Sequence, residues 1–96
     1  MQLSKESILH FLLEHKMELL SKYAVKKIGL FGSYARNEAT DKSDIDIIVD
    51  MPSDFDMYYD LKEYLENAFN TDVDLGFEKK IRSSLKSSIL KDLVYV

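Results

Sequence analysis

Two aspartates, Asp44 and Asp46, stand at the head of a run that otherwise reads as buried strand, Ile45 and Ile47-Ile48-Val49. Ten residues separate Asp44 from the preceding Gly32-Ser33 pair. In an extended chain alternate side chains share a face, so Asp44 and Asp46 point one way and Ile45 and Ile47 the other. The same spacing returns in Thr71-Asp72-Val73-Asp74-Leu75, which puts Asp72 and Asp74 on one face. If the two strands are neighbours, three or four carboxylates converge on one surface. Like charges at that separation repel, and some carboxyls would stay protonated near neutral pH unless a cation compensates them. Hard oxygen ligands without nearby His or Cys suit Mg²⁺, with Mn²⁺ as a substitute. Two such ions, ~3.5–4 Å apart, form the clamp used for in-line displacement at phosphorus.

Gly32-Ser33 supplies the other half of that chemistry. Glycine lets the backbone pass close to a ligand. A serine at the start of a helix offers unsatisfied N–H groups and a hydroxyl, a phosphate-binding arrangement. One end of the sheet would then carry both phosphate donors and metal-binding carboxylates.

Elements must hold these residues in place. Ser4 is a candidate N-cap, and Ile8, Phe11, Leu12, Leu19, Leu20 and Tyr23 follow at helical spacing, predicting one helix from about Lys5 to Lys22. Val25–Phe31 reads as a strand stopped by Gly32. Ser33–Arg36 begins a short helix, Asn37–Ser43 is a polar loop, and Asp44–Asp50 is the second strand, broken at Met51-Pro52-Ser53. Ser53 or Asp54 caps a second long helix carrying Phe55, Tyr58, Tyr59, Leu65, Ala68 and Phe69. Thr71–Leu75 is a third strand. Ile81, Leu85 and Ile89 mark a last helix over about Lys79–Lys91, and Leu93–Val96 a terminal strand. The order α-β-α-β-α-β-α-β predicts an α+β (α/β) fold, with helices on one face of a small mixed sheet and the other face left for a site. Strand order does not follow from the pattern.

The remaining composition narrows the class. With 96 residues, 46% hydrophobic and 31% charged, residues 1–96 are expected to form a single globular domain. There is no Cys, hence no disulfide framework or thiolate metal site. No apolar stretch is long enough to span a bilayer, and the N-terminal segment lacks a signal-peptide pattern, so a cytoplasmic location is expected. A net charge of −4 argues against a general nucleic-acid binder.

The segment FGSYARNEATDKSDIDIIVD resembles the signature of the nucleotidyltransferase superfamily related to DNA polymerase β. Within it, the segment resembles the minimal nucleotidyltransferase branch, small antitoxin-type proteins paired with HEPN-domain toxins. The resemblance runs from about Val25 to the C-terminus. It implies Asp44 and Asp46 as catalytic metal ligands and Gly32-Ser33 as the nucleotide-phosphate turn. The family's third carboxylate lies in a Val-Asp-Leu context on a later strand, which points to Asp74 as third ligand and catalytic base, ahead of Asp72. It also implies Mg²⁺ as cofactor, ATP as substrate, and transfer of AMP to a tyrosine of a HEPN toxin. Asn37 departs from the family, which usually has Gly after the Ala-Arg pair; Asn tolerates left-handed backbone geometry. Two alternatives stay open: an antitoxin that neutralises its partner by occlusion without catalysis, and nucleotidyl transfer to a small molecule or RNA.

Other residues read as structural or ambiguous. Arg36 is placed either on a phosphate or in an ion pair with Glu38 or another acid. Lys42, Lys79, Lys80, Arg82 and Lys86 form a basic rim or a solvated face. His10 and His15 receive no metal role. Tyr34 follows Ser33 and is placed beside the nucleotide or in the core.

Overall fold

The computed structural model describes residues 3–96. Its first helix, α1 (Lys5–Glu14), starts where the sequence predicts. Ser4 accepts from the Ser7 N–H (3.0 Å), and Ser7 Oγ accepts from the Ser4 N–H (2.9 Å), a reciprocal cap. The single helix expected to about Lys22 is instead two. It breaks at His15 (φ −100°, ψ 8°), whose ring stacks on Phe11 at 4.0 Å and donates from Nδ1 to the Phe11 carbonyl (2.8 Å). A side chain that satisfies a helical carbonyl competes with helix continuation. The chain resumes as α2 (Lys16–Tyr23) and stops at Ala24 in the left-handed region (φ 55°).

Four strands follow: β1 (Lys27–Phe31), β2 (Ile45–Asp50), β3 (Val73–Phe77) and β4 (Val94–Tyr95). They lie in the order β3-β2-β1-β4, a mixed sheet in which β1 pairs antiparallel with β2 and β4, and β2 pairs parallel with β3. A parallel pair needs a crossover, and α4 (Phe55–Phe69) provides it. Asp54, not Ser53, caps α4 by accepting from the Met57 N–H (3.1 Å). The short helix α3 (Gly32–Ala35) joins β1 to the loop before β2. The last helix begins later than expected. A 3₁₀ turn spans Glu78–Lys80, and α5 runs over Ser83–Asp92, leaving Ile81 outside it.

One sheet face carries Ile28, Leu30, Ile45, Ile47, Val49, Val73 and Leu75, packed with Ile8 and Leu12 of α1, Leu19 of α2 and Leu61, Leu65 and Phe69 of α4. Burying each such side chain contributes about 1.5–3 kcal/mol, so this layer is the principal stabilising term. The expected apolar face of α4 is only partly core: Phe55 and Tyr59 remain 74% and 59% exposed.

The second face carries Asp46 and Asp50 of β2, Asp74 and Gly76 of β3, and Gly29 of β1, by alternation. It is not wholly open. The chain end folds over β1, where a Cβ added at Gly29 would lie 2.7 Å from Leu93 Cδ1. Helix α5 buries no residue of its own. Among the described residues no helix is long and apolar enough to cross a membrane.

Candidate active site

Strand β1 ends at Phe31, and its register partner is Asp46. The next residue, Gly32, has φ +75°, a conformation that L side chains rarely adopt. It is also crowded. A Cβ at residue 32 would collide with Asp46 Oδ2 and sit 2.9 Å from its Cγ. Glycine is thus required twice, for the turn and for the seat of the Asp46 carboxylate. Gly32 of the turn and the strand carboxylate Asp46, separated by thirteen residues in the chain, form one contact.

The turn continues as expected from its sequence. Ser33 lies in the first turn of α3, and its carbonyl accepts from the Glu38 N–H (2.9 Å). Asn37 adopts φ 59°, the left-handed geometry that its residue type tolerates. Tyr34 turns into the core and is 9% exposed, which corrects its placement beside a nucleotide. Large aromatic side chains gain more from burial than from an exposed turn.

The carboxylates meet through strand pairing. Asp46 pairs in register with Asp74 on the parallel neighbour, so the two lie side by side on the second face. The Asp46 carboxyl is pushed up to about 6, first by burial, then by the negative charges of Asp74 and Asp44, and by a hydrogen bond with Asp74; Arg36 opposes the rise. Asp44 and Asp74 are both exposed. Asp72 is exposed too and does not share in that charge field; its carbonyl accepts from the Ile45 N–H (3.0 Å). Of the four aspartates singled out by the sequence, Asp44 and Asp74 act on Asp46, and Asp72 is not among the charges that raise it.

Whether these residues suit a divalent cation is tested by their charge balance. Asp44 and Asp74 both act on Asp46, and the cation that opposes them, Arg36, is committed elsewhere: its Nη1 donates to Asp92 Oδ2 (2.8 Å) and its Nε to Glu38 Oε2 (3.1 Å). The uncompensated all-oxygen set fits a hard divalent ion in its chemistry. Among the described residues, though, no three His, Cys, Asp or Glu side chains are already drawn together as a chelate. His10 instead pairs with Glu14 (2.8 Å) on α1.

Gly32, Ser33, Arg36 and Asp46 line a cleft of about 320 Å³, closed on its far side by Ser88, Ile89 and Asp92 of α5. Sequence reasoning assigned Ser88, Ile89 and Asp92 no part in the site, Ile89 only marking the last helix. Their place depends on the chain returning over β1, and no local pattern signals that. The basic rim is dispersed: Lys79 approaches Asp50 (3.8 Å), and Lys80 lies over the Phe77 ring at 4.8 Å.

Known proteins resemble this chain in sequence and in fold. A profile of the nucleotidyltransferase domain matches residues 12–96. The protein adenylyltransferase MntA of Thermococcus cleftensis is 40% identical over 97 aligned residues, covering 98% of this chain and 97% of that protein. A solved structure assigned as a minimal nucleotidyltransferase superposes with a TM-score of 0.79 at 24% identity, over 97% of this chain and 96% of the other, and so shares the fold. A toxin–antitoxin structure with AMP-PNP aligns with a TM-score of 0.69 at 27% identity, over 85% of this chain and 69% of the other.

Proposed function

The chain belongs to the nucleotidyltransferase domain family, and from that premise we propose that it transfers AMP from ATP to a hydroxyl of a protein acceptor, a tyrosine of a HEPN-domain toxin, and so acts as the antitoxin. The observation that carries this reading is the contact of Gly32 with the Asp46 carboxylate, which makes the phosphate turn and the acidic strand one site. The name of its relative MntA, a protein adenylyltransferase, and the likeness to a toxin–antitoxin structure with AMP-PNP support the acceptor class and the nucleotide.

In this mechanism the triphosphate lies on the Gly32-Ser33 turn, where backbone N–H groups and the Ser33 hydroxyl donate to phosphate oxygens. Asp44, Asp46 and Asp74 would hold Mg²⁺, two ions with Mn²⁺ as a substitute, which supplies charge neutralisation and polarisation at phosphorus. Asp74 takes the proton of the acceptor hydroxyl. The acceptor oxygen forms a bond to the α-phosphorus, the bond from that phosphorus to the bridging oxygen breaks, and pyrophosphate leaves with the electron pair. Residues 1–96 act as one transferase domain, and its place of action is the cytoplasm, where ATP and Mg²⁺ are available.

The reading is tested by toxin neutralisation with Asp44→Asn combined with Asp46→Asn. The double variant should still bind the partner yet fail to silence it. Retained silencing with unchanged binding would establish occlusion as the mechanism instead.

A further inference from the structure

Glycine inside a strand weakens it unless something needs the space. Gly76 sits inside β3, and the fold gives no reason for it. Its φ is not in the left-handed region, and a Cβ there would meet no atom within 4 Å. Gly29 and Gly32 are the opposite case, each pressed by a neighbour. Gly76 lies two residues beyond Asp74, on the same strand face.

In-line displacement fixes what must happen on that face. The attacking oxygen and the leaving pyrophosphate stand on opposite sides of the phosphorus. The cleft bounded by Gly32, Ser33 and Arg36 lies on the β1 side of Asp46, beneath α5. The acceptor must therefore arrive from the other side, over β3. Addition to β3 as a fifth strand is obstructed, because two groups of the outer edge are already bonded. The Tyr58 hydroxyl donates to the Leu75 carbonyl (2.6 Å), and Glu66 Oε2 accepts from the Val73 N–H (3.0 Å). Those two outward groups of β3 are occupied, while a Cβ at Gly76 would meet open space, although Ile48, its register partner, is buried and the Tyr95 hydroxyl donates to Glu78 just beyond the strand (2.9 Å).

We infer that Gly76 is the floor of the acceptor channel: the missing side chain lets a polypeptide backbone descend on β3 far enough to bring its hydroxyl to the α-phosphate beside Asp74. This inference rests on the transferase reading above.

The test is a size series, Gly76→Ala, Gly76→Val and Gly76→Phe, in the full chain. The acceptor is the protein that the wild-type chain labels from α-labelled ATP in a lysate of its source cells, then purified. Label transfer should fall stepwise with side-chain volume, by at least about tenfold at Val. Thermal midpoints should hold, and the affinity for the α,β-methylene analogue of ATP with Mg²⁺ should stay within about twofold, since the substituted position lies outside the nucleotide cleft. Wild-type rates in all three variants would overturn the inference, as would a loss of analogue binding that parallels the loss of transfer. Label found on RNA in place of protein would overturn the polypeptide channel while sparing nucleotidyl transfer. A wild-type chain that binds the analogue but labels nothing would overturn the transferase reading itself, and this inference with it.

Discussion

Replacing Gly32 by Ala separates stability from catalysis, because the structure charges the two differently. A non-glycine residue at φ +75° costs about 1–2 kcal/mol. The added Cβ also collides with Asp46 Oδ2. That atom ends a side chain that can rotate, so relieving the clash costs the fold little. It does displace the carboxylate by on the order of 1 Å, and a misplacement of that size at a reacting centre costs ~10²-fold in rate. A domain with an ordinary ~5 kcal/mol of stability stays more than ~90% folded after the substitution. Unfolding therefore cannot account for a hundredfold loss. Gly32→Ala should lower the melting midpoint by roughly 5–15 °C and AMP transfer by about two orders of magnitude, measured by calorimetry and by α-label transfer on the same preparation. Transfer that falls only in proportion to the folded fraction would refute the claim that Gly32 seats Asp46.

Three further outcomes follow from the same contacts. The Asp46 carboxyl, raised from 3.8 to about 6, holds its proton more tightly when folded, so its contribution to stability is full below the unfolded value and lost as pH rises through about 6. Asp46→Asn in EDTA should then gain about 1–2 kcal/mol over wild type at pH 7.5, after discounting for solvent screening, and little at pH 3.5, read from denaturant midpoints. Ala24→Gly relieves the left-handed end of α2 and should raise stability by about 0.5–1 kcal/mol in thermal melts. Arg36→Ala cuts the tie to Asp92 of α5, a helix with no buried residue, and should speed amide exchange across Ser83–Asp92 while the global midpoint moves little.

Much of the site is legible in the sequence because it is built from local rules. Alternation puts Asp46 and Asp74 on one sheet face, where they pair in register, while Asp44 and Asp72 fall just ahead of their strands. The left-handed tolerance of Asn is used at Asn37, where the family usually has Gly. What the sequence hides is non-local. A continuous apolar rhythm masks the break at His15, since periodicity does not register a side chain capping a carbonyl. The third strand begins at Val73 and runs to Phe77 because pairing with β2, not composition, sets its ends. Ile81, Leu85 and Ile89 repeat at helical spacing, yet Ile81 lies ahead of α5 and Leu85 is 52% exposed. The α5 wall of the cleft and the dual demand on Gly32 exist only once strands and helix are assembled.

The central claim, that this chain moves a nucleotidyl group with its carboxylates, is tested most directly by position-specific label transfer. The purified protein, the HEPN-domain toxin proposed as its acceptor and Mg²⁺ are incubated with ATP labelled at the α or at the γ phosphorus, beside the variant carrying Asp44→Asn and Asp46→Asn. The account predicts toxin labelled from the α position alone, with the label lost in the variant. Label arriving from the γ position, or α-label that persists without the two carboxylates, would contradict it.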